Sequence, residues 1–195
     1  MGTIKTTNIE PIADNGTVTL GSSGDTFTVP SGVTVNMSNA TQTGVGGVNT
    51  PAFEASLSAN QTVSNDTETK VQCNTEIYDT DNAYDNSTNY RFTPQTAGKY
   101  FVYATVNGYG GGNSNLNSCR AILKKNGTTV KYSINDFRNN PAKTNNIMVG
   151  ATLDMNGSSD YVELYAHLEY SSSATIHLTG ASDNYTNFGA YRIIT

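Results

Sequence analysis

"DTDNAYD", residues 79–85, sets three carboxylates, Asp79, Asp81 and Asp85, along one short polar stretch. Side chains at alternate positions of a loop can converge on one hard cation, and calcium asks for several oxygen ligands at once. The stretch lacks the glycine and the distal glutamate of an EF-hand loop. The same residues suit turns in which an Asp side chain accepts hydrogen bonds from the next few backbone amides. Both readings stand: calcium as an optional ligand, no cofactor being required, or turn formation alone.

Nucleophilic catalysis needs a base, and the two histidines, His167 and His177, both fall in alternating segments that read as strand interiors. No G-x-S-x-G or phosphate-loop pattern occurs. "GYGGGNSN", residues 108–115, is glycine-rich but lacks the lysine and helix of a phosphate cradle. No convincing carboxylate pair suggests polysaccharide cleavage, so the expectation is a protein that is not an enzyme. A second group of residues suits binding. Tyr109, Asn113 and Asn115 lie in the glycine-rich stretch, Arg138, Asn139 and Lys143 in "DFRNNPAK", and Tyr170 ends a strand-like run. Tyr109 beside glycines could stack on a sugar ring, and Arg138 and Lys143 could meet acidic sugars or phosphates. Against this stands the plainer reading of solvated loop residues.

These residues must be carried by strands. Only 14% of the 195 residues are charged, and Asn, Thr, Ser and Gly fill the deficit. Thr, Val, Ile, Tyr and Phe favour strands, and Asn-Gly, Gly-Ser and Pro-Ser pairs supply turns. From Pro51 onward, strands are expected at 52–58, 70–79, 89–94, 99–107, 119–126, 128–135, 146–154, 160–170, 174–180 and 188–194. Many short antiparallel strands imply a sandwich or jelly roll. Tight turns at 93–98, 125–128 and 155–158 alternate with long polar loops at 107–118, 137–146 and 170–187. The long loops should therefore share one end of the fold, far from the N-terminal segment, as a rim.

Residues 1–50 differ. Val18 and Leu20, Phe27 and Val29, and Val33, Val35 and Met37 alternate with polar residues between Gly- and Pro-bearing turns. One copy of such strands buries too little to offset backbone ordering of about 1–2 kcal/mol per residue. The segment reads as a short β-rich stalk wound with its own copies, with a hinge at 43–51. The net charge of −5 argues against a nucleic-acid partner, which needs clustered Lys and Arg. No run approaches the roughly 20 apolar residues of a membrane span, and no signal-like apolar run follows Met1, so synthesis and release in a cytoplasm are expected. Cys73 and Cys119 are too few for a disulfide framework.

"AFEASLS", then Tyr84-Asp85, "RFTPQTAGKYFVYATV", "AILKKNGTTV", "MNGSSDYVELYA" and a closing "FGAYRII" occur in an order and spacing similar to the C1q-like globular domain. The resemblance covers residues 51–195 and rests on the "F-T-P-x-x-A-G-x-Y" step together with the final "F-x-A-Y" strand. It implies a ten-stranded antiparallel jelly roll allied to the tumour necrosis factor fold and assembled as a homotrimer. It implies Phe53, Tyr100, Tyr165, Phe188 and Tyr191 as core or trimer anchors. The Thr-Asn-Tyr-Arg stretch before Phe92 departs from the usual Thr-Gly, and a collagen-like stalk is absent. The first fifty residues instead resemble the leaders of C1q-like bacteriophage fibre proteins. The expectation is a virion protein, a homotrimeric fibre or decoration protein. Residues 1–50 would attach it to other virion proteins, and its head, 51–195, would display loops to a host-surface glycan. A purely structural capsid or tail accessory, or a secreted C1q-like lectin, are the alternatives.

Overall fold

The computed structural model describes residues 17–36, 49–112, 114–171, 176–181 and 185–193. Two compact units divide the chain, residues 1–45 and 46–195. In the first, residues 17–36 form no regular element and make two turns, closed where Asp25 N–H donates to the Ser22 carbonyl and Val33 N–H to that of Pro30. No strand forms among these residues in the single chain; the stalk expected from the sequence is one wound with its own copies. Leu20, Phe27 and Val33 are 64%, 70% and 57% exposed. The remaining parts of the expected stalk, and most of the hinge, lie outside the described residues.

The second unit is an all-β antiparallel sandwich with no helix, and its elements run in chain order. They are β1 (Ala52–Ser56), β2 (Gln61–Thr62), β3 (Thr67–Lys70), β4 (Thr75–Asp79), β5 (Tyr84–Asp85), β6 (Arg91–Phe92), β7 (Gly98–Tyr109), β8 (Leu116–Lys125), β9 (Thr128–Asp136), β10 (Thr144–Met155), β11 (Val162–Tyr170), β12 (His177–Leu178) and β13 (Asn187–Arg192). Thirteen strands replace the expected ten among the described residues. The early region breaks into short pieces there, because "KVQCNTEIYD" leaves one sheet after Lys70 and enters the other at Thr75. The first sheet runs β2-β12-β7-β13-β1-β4 with β10 on the other edge of β7; the second runs β5-β6-β11-β8-β9 with β3 also on β11.

The alternation in β7 explains the layering. Tyr100, Val102, Ala104 and Val106 are fully buried, while the residues between them face outward. Across the sandwich they meet Leu123, Ala121 and Cys119 of β8 and Leu164 and Leu168 of β11. An aromatic cluster closes one end. The Phe53 ring stacks on Tyr84 at 4.4 Å and on Phe92 at 4.7 Å, with Phe188 edge-on at 5.0 Å. Burying one such side chain contributes about 1.5–3 kcal/mol. The two hydroxyls buried here are satisfied, Tyr84 donating to the Cys73 carbonyl at 2.9 Å and Tyr100 to that of Thr96 at 2.8 Å.

The loops segregate as the sequence pattern requires. Asn126 and Gly127 both take positive φ, 50° and 78°, the two-residue turn that matches strand twist. Asn126 N–H donates to the Tyr161 carbonyl, and Arg192 N–H reaches the Asn49 carbonyl and its guanidinium that of Ala97. The 93–97, 126–127 and 156–161 connections therefore share the end at which this unit begins. "MNGS" is no two-residue turn, however. Asn156 Oδ1 accepts from the amides of Ser158, Ser159 and Asp160 and organises a longer loop.

Candidate functional site

The opposite end holds the expected rim. Gly110 N–H donates to the Lys143 carbonyl, Leu116 and Ala142 exchange backbone hydrogen bonds, and Ser171 N–H donates to the Asn115 carbonyl. These bonds bring the β7–β8, β9–β10 and β11–β12 connections together. Tyr109, Asn115, Arg138, Asn139, Lys143 and Tyr170 thus occupy one end of the sandwich; Asn113 lies outside the described residues.

The groups differ in what they can offer a ligand. Arg138 is exposed but fully engaged: its Nη2 and Nε donate to the two Glu169 oxygens at 2.6 and 3.2 Å, and its Nη1 to Asp136 at 2.6 Å. Both carboxylates hold its guanidinium charge, and the same contacts hold the Glu169 carboxyl below its ordinary range. An open hollow of about 600 Å³ lined by residues 136–140 lies beside it. Tyr170 is structural. Its ring packs against the core, its hydroxyl donates to the Val63 carbonyl at 3.4 Å, and its N–H to Asn65 at 2.9 Å. Asn139 and Lys143 are exposed. Tyr109, half-buried on the outer face of the first sheet, stacks on His177 at 4.8 Å between centroids.

The three Asp side chains are not gathered around a point. Asp79 accepts from the amides of Asp81, Ala83 and Tyr84. Asp85 accepts from those of Ser87, Thr88 and Asn89, and from the Asn89 amide side chain at 2.7 Å. Hydrogen bonds from Thr88, Ser87 and Asn89 hold the Asp85 carboxyl well below the usual range against a smaller opposing effect of burial. Among the described residues, no three His, Cys, Asp or Glu side chains are grouped to hold a metal ion. The turn reading accounts for Asp79 and Asp85, whose oxygens are taken by backbone amides, and Asp81 contributes only its own amide.

Of the expected anchors, Phe53, Tyr100 and Phe188 are buried core residues. Tyr165 and Tyr191 face outward instead. Tyr165 lies on the outer face of the second sheet with the Lys124 ammonium 4.2 Å from its ring centre; Lys124 and Lys70 there pair with Glu68 and Glu163 at 2.5 Å each. Tyr191, 38% exposed, lies on the outer face of the first sheet against Phe101 at 5.7 Å, and Phe101 stacks on Tyr103 at 6.1 Å. Tyr103 lies flat over Gly189, where a Cβ would come within 2.5 Å of its ring. Its hydroxyl donates to Glu54 at 3.1 Å, and Asn187 Nδ2 donates to the other Glu54 oxygen at 3.2 Å. Burial and the Glu54 carboxylate push the Tyr103 hydroxyl far up. Exposed Tyr78 and Met148 extend this aromatic face. Beyond the alternation in β7 no sequence signal marks it, since each of its aromatics reads equally well as core.

The remaining reactive groups are quiet. Burial pushes the Cys73 and Cys119 thiols up to about 12, which removes the thiolate at neutral pH. His167 Nε2 meets Asp66 Oδ1 at 3.0 Å. No helix among the described residues is long and apolar enough to cross a membrane.

No family model matches the chain, and no curated protein matches it in sequence. Solved structures do match its fold. Murine APRIL aligns with a TM-score of 0.53 at 10% identity, over 73% of this chain and 98% of its own. The globular domain of zebrafish complement 1qA protein aligns with 0.51 at 14% identity, over 73% and 97%. The head has the C1q/TNF-like jelly-roll fold.

Proposed function

We propose that this chain is a non-enzymatic virion structural protein, a homotrimeric fibre or decoration protein of bacteriophage type whose head displays rim loops to a host-surface glycan. The observation that carries the assembly is the aromatic face of the first sheet. Phe101, Tyr103 and Tyr191 form a contiguous ring cluster joined by exposed Tyr78 and Met148, on a chain otherwise rich in small polar residues. Apolar patches of this kind are normally covered by a partner. Glu54, in its middle, already accepts two side-chain hydrogen bonds, so covering it leaves little unsatisfied. The occupant is a second copy: the C1q-like resemblance implies trimers, and closed symmetry is the usual outcome for self-association. Residues 1–50 take the part of attachment segment, with the alternate apolar residues of 17–36 covered by their own copies. On this reading the protein belongs to the virion after synthesis in the host cytoplasm, with calcium as an optional ligand.

A purely structural accessory role without receptor binding is the second reading. It is favoured by the internal engagement of Arg138 and Tyr170, which leaves fewer rim groups for a ligand. Sedimentation equilibrium of the full chain, with and without a calcium chelator, tests the assembly. Three chain masses in both conditions are expected, loss of the trimer with chelator would assign the calcium a structural role, and a monomer throughout sinks the trimer and the multivalent tip. Retention of the trimer on host cells separates the adhesin from the accessory.

A further inference from the structure

The outer face of the first sheet changes character along its length. Toward the end where the unit begins it is aromatic, and toward the rim it becomes polar and uncharged. One row crosses four strands there: Thr62 of β2 lies opposite His177 of β12, His177 opposite Tyr109 of β7, and Tyr109 opposite Thr144 of β10. The next row inward pairs Asn107 with Asn146, and Thr144 Oγ1 donates to Asn107 Oδ1 at 3.3 Å. None of these six positions carries a formal carboxylate, ammonium or guanidinium. The Tyr109 ring is half-buried and braced on the His177 ring, with planes 27° apart, so little ordering remains to be done when a ligand meets it.

We propose that this row is a binding platform for a neutral, hexose-containing glycan. The C–H face of a pyranose is apolar and packs on an aromatic ring, while side-chain amides and hydroxyls offer both donors and acceptors to its hydroxyl groups. Tyr109 carries the sugar face, Asn107, Asn146 and Thr144 take its hydroxyls, and His177 is a positioning residue. Acidic sugars fit the rim less well. They call for a charge-assisted partner; Arg138 at this end is already held by Asp136 and Glu169, and exposed Lys143 stands outside the six positions of the row. The inference rests on the reading of the rim as the host-facing end and supplies the ligand class for it. Single weak sites of this kind gain apparent affinity when one assembly carries several.

A glycan array holding neutral hexose oligosaccharides beside uronate- and phosphate-bearing ones tests the platform, probed with the full chain and with Tyr109→Ala, Tyr109→Phe, Asn146→Ala and Arg138→Ala. Binding to neutral glycans is expected. Tyr109→Ala should weaken it about tenfold or more, Tyr109→Phe should retain it, exposed Asn146→Ala should weaken it without unfolding the chain, and Arg138→Ala should leave it unchanged. Binding confined to acidic glycans, whether or not Arg138→Ala abolishes it, overturns the platform and leaves the adhesin standing. A blank array with a chain that still holds to host cells does the same. A blank array and no cell binding removes both.

Discussion

Asp85 shows how far one carboxylate's role depends on its neighbours in the chain. Its spacing from Asp79 and Asp81 suits a hard cation, yet Ser87, Thr88 and Asn89 direct their amides onto its two oxygens and make it the organiser of the 85–89 loop. Those bonds favour the ionised form, so the folded pKa lies below the unfolded value of about 3.9. A group depressed on folding contributes stability that is fully present above the unfolded value and is lost as pH falls through the folded one. Chemical denaturation between pH 6 and about 2 should therefore show wild-type stability declining below roughly pH 4. Asp85→Asn should be less stable at neutral pH and decline less steeply; equal slopes would remove the assigned role. The cysteines carry a companion expectation. Cys73 and Cys119 should resist a thiol-specific reagent at pH 8 in the folded chain and react freely in denaturant, since burial holds both thiols near 12. At this scale the sequence was legible where chemistry is local: the Asx turns could be read from Asp and Asn with small residues after them. It was not legible for Tyr191 or Tyr165, because alternation states that a residue faces one side without stating which side is covered.

Elements show the same division. The Asn126-Gly127 turn and the long strands β7, β8, β10 and β11 follow from turn chemistry and apolar periodicity, and the two-residue strands β6 and β12 fall inside the longer strands expected at 89–94 and 174–180, while β2 and β5 are too short to carry a period. β9 reverses the usual polarity. Its positions opposite buried Cys119 and Ala121 are Asn135 and Ser133, whereas Tyr132 and Ile134 face outward, 55% and 39% exposed. Outward Tyr132 sits opposite Ile122, which is only 2% exposed, so part of the apolar surface of β9 serves to roof its neighbour. The 156–161 loop illustrates an element fixed by one residue. Gly157 adopts φ 72°, and a Cβ there would lie 2.2 Å from the Ala97 nitrogen. Backbone cannot yield as a flexible side chain can. Gly157→Ala should cost about 2–3 kcal/mol and lower the melting temperature by roughly 5–10 °C. Gly112→Ala, with open space around it, should leave melting nearly unchanged; equal effects would show that loop packing at 97 and 157 does not hold that end together.

At the scale of the whole molecule, the jelly roll could be read from strand number, turn spacing and the resemblance of residues 51–195, and the fold of murine APRIL and the zebrafish complement 1qA globular domain agrees with it. The assembly could be read only as a deficit. Alternate apolar residues at 17–36 and the outward aromatics of β7 and β13 are surfaces whose sequence pattern asks for a cover. If copies of the chain supply it, the ring cluster is where association is most sensitive to truncation, since buried aromatic anchors dominate interface energetics and their loss typically costs about 2 kcal/mol or more. A Phe101→Ser, Tyr191→Ser pair removes two adjacent rings from the outer face without touching the core, because both side chains point away from Tyr100, Val102 and Ala190. The expected outcome is a folded chain with unchanged far-ultraviolet circular dichroism that sediments at one chain mass where the parent sediments at three. Tyr165→Ser, on the opposite sheet, should leave the mass unchanged. The reverse pattern, with assembly lost only on Tyr165→Ser, would move the interface to the second sheet and leave the aromatic face of the first without a partner.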